Sequence, residues 1–280
     1  MLVIKTIKEM QEYSDTVRSE GKVIGFVPTM GYLHEGHLSL VKKAKECDVV
    51  VTSIFVNPTQ FSENEDLDDY PKDFEKDKEL LEKKGVDVLF YPSVEEIYPE
   101  TNLTWVEMFG LTDVLCGESR PTHFRGVTTI VSKLFNIVKP KKAYFGQKDY
   151  QQSLVIRKMV KDLNVDVKII TCPIVREEDG LAMSSRNVYL SSEERKSALS
   201  LNKSLEMAKE LIYQGEDSVE IIKKKIVEFI SRYEYTKIDY VEILNGDNLK
   251  KIDKIEGRIV IALAVFVGNP RLIDNILIEK

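Results

Sequence analysis

Short runs of β-branched and apolar residues alternate with amphipathic segments through the first two thirds of this chain. The strand-like runs lie at residues 22–27, 48–56, 87–91, 143–145 and 165–171, and the helix-like segments at 36–46, 70–84, 126–138 and 150–163. Strands separated by helices in this way form βαβ units, whose strands pair in parallel. The pattern predicts a doubly wound parallel α/β sheet with helices on both faces, in which ligands bind beyond the carboxyl ends of the strands.

The character of the sequence changes near residue 174. Glu178-Asp179-Gly180 is typical of a hairpin turn, and helices are predicted at 192–214, with Ser192 as N-cap, and at 217–233. Strands are predicted at 239–244, 257–267 and 272–278. We therefore expect a doubly wound α/β domain over residues 1–174 and a second, smaller α+β domain over residues 175–280.

Composition and charge narrow the class of protein. The formal net charge of −6 argues against binding to a nucleic-acid backbone, which requires clustered Lys and Arg. Cys47, Cys116 and Cys172 are far apart and form no C-x-x-C pair, which fits a reducing compartment better than a disulfide framework. No signal peptide or membrane-spanning run is indicated. We expect a cytoplasmic enzyme without a membrane or nucleic-acid partner.

Two histidines follow the first strong strand, within residues 28–37 (PTMGYLHEGH). His34 and His37 are three residues apart and face the same way on a helical turn, whose N-terminus favours an anion. They can donate hydrogen bonds to phosphate oxygens as charge builds up in a transition state. A zinc site and a purely packing role are the alternatives, although no cysteine cluster or third histidine lies close in sequence.

Lys148 and Asp149 follow a later strand, within residues 145–152 (FGQKDYQQ). We expect both at the same edge of the sheet as the histidines. There the Lys148 ammonium can bind phosphate, and the Asp149 carboxylate can accept from a ribose hydroxyl. The alternatives are an N-cap for Asp149 and an exposed surface position for Lys148.

Hydroxyl side chains and an arginine occur together at residues 181–187 (LAMSSRN). They suit a mobile loop that closes over a triphosphate, with Arg186 as a planar fork for phosphate oxygens. The alternative, which composition alone favours, is a Ser-rich turn before the next helix.

Two further segments could hold an acid substrate. Residues 55–61 (FVNPTQF) offer amides beside apolar walls, which suits a small branched hydroxy acid, and residues 120–126 (RPTHFRG) add cations. The alternative for both is loop structure set by the prolines.

Together these segments resemble the pantothenate synthetase family. HEGH is similar to the HIGH-type signature of the nucleotidylyltransferase superfamily, and MSSR stands where its KMSKS-like loop belongs. The five segments occur in the family's order with family-like spacing, and the resemblance is weakest at residues 192–233. It implies a Rossmann-like domain, a smaller lid domain and a homodimer. It also implies Mg²⁺- and ATP-dependent condensation of pantoate with β-alanine through an enzyme-bound pantoyl adenylate, with release of AMP and pyrophosphate.

The resemblance also assigns roles to individual residues. The phosphate contacts would come from His34, His37, Lys148, Ser184, Ser185 and Arg186, with the two histidines and Lys148 stabilising the transition state. The adenosine contacts would come from Gly146, Asp149, Val175 and Met183. Pantoate would bind Gln60 and Gln152 in a pocket lined by Pro28 and Met30, with Met30 also next to ATP. Asp77 would help to order Mg²⁺ through water, and other protein ligands of the metal are unknown.

Two other functions remain at this point. One is nucleotidyl transfer to a phosphate-bearing acceptor, which would form no amide. The other is a catalytically silent nucleotide-binding protein, and the joint presence of Lys148, Gln60 and Gln152 counts against it.

Overall fold

The structure, a computed structural model, describes residues 1–62, 67 and 70–280. It divides into two compact units, Met1–Pro173 and Ile174–Lys280. The division falls one residue before the domain boundary expected from the sequence. Within the described residues, no helix is long and apolar enough to cross a membrane.

A parallel sheet organises the first unit. In the described part of Met1–Pro173 it has six strands, namely β1 Leu2–Ile4, β2 Ile24–Thr29, β3 Val49–Ile54, β4 Val88–Phe90, β5 Lys142–Gly146 and β6 Lys168–Cys172. Their spatial order is β1-β4-β3-β2-β5-β6, and neighbouring strands pair in parallel. The predicted Rossmann-like class is therefore confirmed.

Helices cover both faces of this sheet. They are α1 Ile7–Ser19, α2 Glu35–Ala44, α3 Phe74–Lys83, α4 Val94–Ile97, α5 Cys116–Ser119, α6 His123–Val138 and α7 Tyr150–Asp162. Alternate residues of each strand enter different cores, because successive side chains of a strand point to opposite faces. Phe26 and Val51 pack with residues of α1, α6 and α7, whereas Val27 and Val50 pack with residues of α2 and α3. Burial on both faces explains why these strands read as continuous apolar runs.

The strand order places a topological switch point between β2 and β5. From β2 the chain continues to β3 and β4 on one side, and it later adds β5 and β6 on the other. The loops that leave β2 and β5 therefore diverge to opposite faces, which opens a crevice at the carboxyl ends of these two strands. HEGH follows β2 and Lys148 follows β5.

Several boundaries differ from the sequence prediction. β1 was not predicted, because a three-residue edge strand carries too little pattern to read. Helix α1 was also not predicted. β2 continues to Thr29, so Pro28 lies in the strand, paired with Ser53, instead of in the following loop. Helix α3 begins at Phe74 and not at residue 70, because Asp73 caps it.

The second unit combines an antiparallel sheet with two long helices. The sheet, in the fully described range Ile174–Lys280, has three strands in sequential order, namely β7 Thr236–Asn245, β8 Arg258–Val267 and β9 Arg271–Glu279. Helices α8 Ser192–Tyr213 and α9 Val219–Ile230 pack on it. The smaller α+β unit is as predicted, but the N-cap of α8 is Ser191, not Ser192, and forms a capping box with Glu194.

Candidate active site

The turn between β2 and α2 carries the two histidines. After Thr29, Gly31 has φ +88° and Tyr32 has φ 50°, so the backbone turns through the left-handed region before α2 begins. A side chain at Gly31 would place its Cβ 3.0 Å from Ile54 and 3.1 Å from Asp77. The positive φ favours glycine here, and a Cβ would be a tight fit against these two side chains. His34 then occupies the N-cap position of α2.

The two imidazoles are oriented by backbone hydrogen bonds. The Nδ1 atom of His34 accepts from the Gly36 N–H at 3.1 Å, and the Nδ1 atom of His37 accepts from the His34 N–H at 3.4 Å. The ring centroids lie 4.1 Å apart. Because Nδ1 is an acceptor in both neutral rings, their protons lie on Nε2. Each ring therefore turns an N–H donor away from its own backbone.

His37 is held in the neutral form. Desolvation by the surrounding protein is the main cause that lowers the pKa of His37 well below its usual value, and the nearby His34 and Lys148 lower it further. Because β2 and β5 pair in parallel, HEGH and FGQKDY follow neighbouring strands at the same edge of the sheet, and the effect of Lys148 on His37 agrees with this. A neutral ring beside an ammonium group gives this crevice both a hydrogen-bond donor and a positive charge, which suits phosphate oxygens.

Lys148 and Asp149 lie where β5 passes into α7. Residues Gln147–Asp149 form a short 3-10 turn after Gly146, and Lys148 is partly buried, unlike an ordinary surface lysine. Asp149 occupies the N-cap position of α7, but its carboxylate makes no cap hydrogen bond. Asp149 therefore has the N-cap position that the alternative gave it, but its side chain does not cap the helix. Its exposed carboxylate lies beside the crevice at the end of β5.

Gln60 and Met30 come together from neighbouring strands. Asn57 caps the turn Pro58–Gln60 that follows β3, and its side-chain amide donates to the Gln60 Oε1 atom at 3.2 Å. The Gln60 side-chain amide in turn donates to the Met30 sulfur at 2.9 Å. Two side chains expected around pantoate are thus in contact, and together with Pro28 they offer mixed polar and apolar surface.

Arg120 and His123 hold the Gln60 loop by its backbone. The Gln60 carbonyl oxygen accepts from His123 Nδ1 at 2.9 Å and from an Arg120 guanidinium N–H at 3.3 Å. A second Arg120 nitrogen lies 3.4 Å from His123 Nε2. Both side chains therefore donate to the loop that carries Gln60, and the expectation that RPTHFRG adds cations near an acid substrate stays a prediction.

The two glutamines at the start of α7 differ in environment. Gln151 is buried, and its side chain accepts from the Cys116 N–H at 3.0 Å and donates to the Leu111 and Val114 carbonyls at 2.8 and 2.7 Å. It anchors the segment that leads into α5. Gln152, the residue expected to bind pantoate, is only partly buried. Of these two adjacent glutamines, Gln151 is therefore a buried structural residue, and Gln152 is the more accessible one.

In the second unit, a hairpin brings Val175 and Met183 together. The Met183 N–H donates to the Val175 carbonyl at 3.0 Å, and the hairpin turns at Gly180. Ser184 caps the short 3-10 turn Ser185–Tyr189 by accepting from the Arg186 N–H at 3.3 Å. The expected neighbours of adenine are therefore adjacent, and the Ser-rich turn is real.

Polar contacts within the second unit fix this MSSR turn. The Asn187 amide donates to Glu177 at 2.6 Å and to the Ala182 carbonyl at 3.1 Å. Arg195 on α8 donates to Glu177 at 2.6 Å and to Asp179 at 2.9 Å. Glu177 thus ties the turn to α8. The sequence did not predict this role of Asn187 and Glu177, because the pattern of MSSRN indicates a phosphate-binding role only for its serines and arginine.

The structure gives Asp77 a role other than metal binding. The residue is 2% exposed, and each carboxylate oxygen accepts a backbone N–H at 2.7 Å, one from Tyr32 and one from Leu33. The contacts therefore favour an internal structural role over ordering of Mg²⁺. In residues 1–62, 67 and 70–280, no group of three or more His, Cys, Asp or Glu side chains could hold a metal ion.

The fold and these residues define the class: a doubly wound α/β protein with a donor-rich crevice at its switch point. Residues 2–277 match the family model described as pantoate-beta-alanine ligase. A pantothenate synthetase from Caldicellulosiruptor bescii is 61% identical over 280 residues, which cover 100% of this chain and 99% of the relative. The chain therefore belongs to the pantoate-beta-alanine ligase family and is an enzyme, a ligase.

Solved structures agree over the whole chain. A pantothenate synthetase from Thermus thermophilus has 44% sequence identity and a TM-score of 0.94, with 99% of both chains covered. A pantoate-beta-alanine ligase from Francisella tularensis, complexed with beta-gamma ATP and beta-alanine, has 40% identity and a TM-score of 0.80, with 99% of this chain and 97% of that chain covered. The resemblance stated from the sequence is confirmed.

Proposed function

We propose that this enzyme condenses pantoate with β-alanine to pantothenate, using ATP and passing through a pantoyl adenylate. The observation that carries the proposal is the proximity of the neutral His37 ring and the Lys148 ammonium at the switch point of the sheet. Family membership and the related Francisella tularensis enzyme, complexed with beta-gamma ATP and beta-alanine, support the choice of substrates.

The chemistry explains why ATP is needed. A carboxylate is a poor electrophile, so a pantoate carboxylate oxygen first attacks the α-phosphorus of ATP, and the bond to the bridging oxygen breaks with release of pyrophosphate. The amine of β-alanine then attacks the acyl carbon, the C–N bond forms, and AMP leaves with the electron pair of the broken C–O bond. The amine loses a proton to solvent. The protein contributes proximity and charge stabilisation, and no covalent enzyme intermediate forms.

The residues take their roles from this scheme. The Nε2–H groups of His34 and His37 donate hydrogen bonds to the phosphates in the transition state, and the Lys148 ammonium offsets their negative charge. Gly146 and Asp149, at the end of β5, hold the ribose and adenosine. Further contacts to the nucleotide come from Met30, Val175, Met183, Ser184, Ser185 and Arg186.

Pantoate binds through the amides of Gln60 and Gln152. Amide groups can both donate to and accept from the hydroxyl groups of the acid, and the contact between Gln60 and Met30 places apolar surface next to that polar group. Pro28, at the end of β2, extends the apolar wall. The Arg120 and His123 contacts to the Gln60 carbonyl keep this loop in place.

Mg²⁺ enters as part of the nucleotide substrate. We propose that the phosphate oxygens of ATP carry it, because Mg²⁺ is commonly bound through substrate phosphates. The unit from residue 175 onward is proposed to act as a lid that excludes water from the hydrolysable adenylate. The reaction is proposed to occur in the cytoplasm, where the three free cysteines would stay reduced.

A homodimer is proposed as the working form. Leu103 and Phe109 are 87% and 78% exposed, whereas Val106 and Met108 of the same extended segment pack against the core. Exposed large apolar side chains of this kind are suited to contact with a second copy of this chain. Sedimentation equilibrium measures the mass directly, and a monomer at assay concentration would remove this part of the proposal.

The reaction is tested by measuring pyrophosphate release from ATP and Mg²⁺ with pantoate present, with and without β-alanine, while mass spectrometry follows pantothenate. We expect pantoate-dependent pyrophosphate release, and pantothenate only after β-alanine is added. Omission of pantoate is the control. Release that does not depend on pantoate would instead favour nucleotidyl transfer to another acceptor.

A further inference from the structure

Asp77 on α3 lies buried under the turn that carries the histidines. A buried carboxylate is costly unless it is hydrogen-bonded. Here the Tyr32 N–H donates to Oδ2 and the Leu33 N–H to Oδ1, both at 2.7 Å. Burial raises the pKa of Asp77, and the two N–H donors oppose that shift by favouring the charged form. Asp77 thus binds the backbone of Tyr32 and Leu33, which lie more than forty residues earlier in the chain.

The backbone that Asp77 binds has an uncommon conformation. Tyr32 has φ 50°, a left-handed value that a bulky side chain rarely adopts. Such a conformation persists only where the surrounding structure fixes it, and it is concentrated at functional sites. The neighbouring Gly31 packs closely on the same carboxylate, since a Cβ there would lie 3.1 Å from the Asp77 Oδ2 atom. Asp77 therefore fixes a turn that would otherwise relax.

The orientation of both histidine rings depends on this turn. Leu33 directly precedes His34, and the two Nδ1 acceptors are bound by the N–H groups of Gly36 and His34. A change in the backbone at Leu33 would therefore rotate both rings and redirect their Nε2–H groups. We infer that Asp77 is a positioning residue for the His34–His37 pair. The inference rests on the proposed function for what the histidines do, but not for how they are held.

The test compares Asp77→Asn with Asp73→Asn. The first substitution keeps the size of the side chain but sets an amide NH₂ against one of the two backbone N–H groups. Asp73 is the exposed N-cap of the same helix, and asparagine caps a helix as well as aspartate does. We expect kcat of Asp77→Asn to fall about tenfold to 100-fold, because small displacements of catalytic groups cost that much. The KM for pantoate should stay within about twofold, since Gln60 lies on another loop.

Histidine NMR separates positioning from mere stabilisation of the fold. The ¹⁵N signals of His34 and His37 report tautomer and hydrogen bonding, and we expect both to shift in Asp77→Asn but not in Asp73→Asn. Unchanged histidine signals in a folded Asp77→Asn protein would overturn the inference, whatever the rate.

A second substitution covers the case in which Asp77→Asn folds poorly. Glycine adopts positive φ without strain, so Tyr32→Gly should need Asp77 less. We expect the double variant to recover histidine signals closer to those of the unchanged protein, and no recovery would count against the inference. Because NMR requires no turnover, these comparisons still hold if the unchanged protein fails to make pantothenate, which would reject the proposed function alone.

Discussion

The two loops expected to contact ATP are held in contrasting ways. The turn with His34 and His37 is held by the buried carboxylate of Asp77, and Gly31 in this turn has φ +88°. The MSSR turn is fixed by Glu177 and Arg195, whose side chains are 28% and 33% exposed. Partly exposed ion pairs contribute about 1 kcal/mol or less, whereas a buried carboxylate that loses its partners is costly. The first loop is therefore built to stay in place, and the second can rearrange at low cost.

Lys148→Ala tests the rigid crevice that contains the histidine turn, and we expect the largest loss of activity from this substitution. Loss of a preorganised positive charge should lower kcat about 100-fold to 1,000-fold, with the fold intact. Stopped pyrophosphate assays measure the rate, and circular dichroism checks the fold. Lys158→Ala, an exposed lysine on α7, is the matched control and should act like the parent. A near-normal rate for Lys148→Ala would remove its assigned role.

Gln60→Ala separates the acid site from the nucleotide site. We expect the KM for pantoate to rise about tenfold or more while the KM for ATP changes little, because the amide suits the hydroxyl groups of the acid. Gln214→Ala, at an exposed position after α8, controls for loss of an amide elsewhere. Equal losses for both ligands would show that Gln60 acts by supporting the whole crevice.

Glu177→Gln tests the adaptable side and should have a smaller effect. Removing the charge weakens the contact to Arg195 while the amide can still bind Asn187, so we expect the KM for ATP to rise about threefold. The exposed neighbour Glu178→Gln is the matched control. A loss of activity as large as that of Lys148→Ala would mean that the MSSR turn is as rigid as the turn with the histidines. That result would contradict the difference proposed between the two loops.

The pH dependence of stability should show the smallest effect. Because the folded protein lowers the pKa of His37, the unfolded chain binds a proton at this residue more readily. The free energy of unfolding should therefore fall as pH drops below about 6.5, by an amount that His37→Gln removes. Urea titrations at several pH values measure this. An identical pH dependence in His37→Gln would show that the ring is not held neutral.

Much of the fold was predictable because its strands are buried on both faces. Runs such as residues 48–56 are readable as core strands, and the switch-point rule then brings HEGH and Lys148 to one edge. The roles of individual residues in these segments remain predictions. The structural role of Asp77 could not be recognised, because the charged pattern of its helix is typical of a solvated face. The contacts of Arg120 and His123 were also hidden, since their partner Gln60 is distant in sequence.

The close approach of α6 to the Gln60 loop has a consequence for engineering. A Cβ at Gly126 would lie 2.3 Å from the Thr59 carbonyl oxygen, and the Asn57 amide donates to the Gly126 carbonyl at 3.2 Å. The backbones of the loop and the helix are therefore in direct contact, and no side chain lies between them that a substitution could shorten or lengthen. To make the site accept a bulkier acid, the loop and the helix would have to be replaced together.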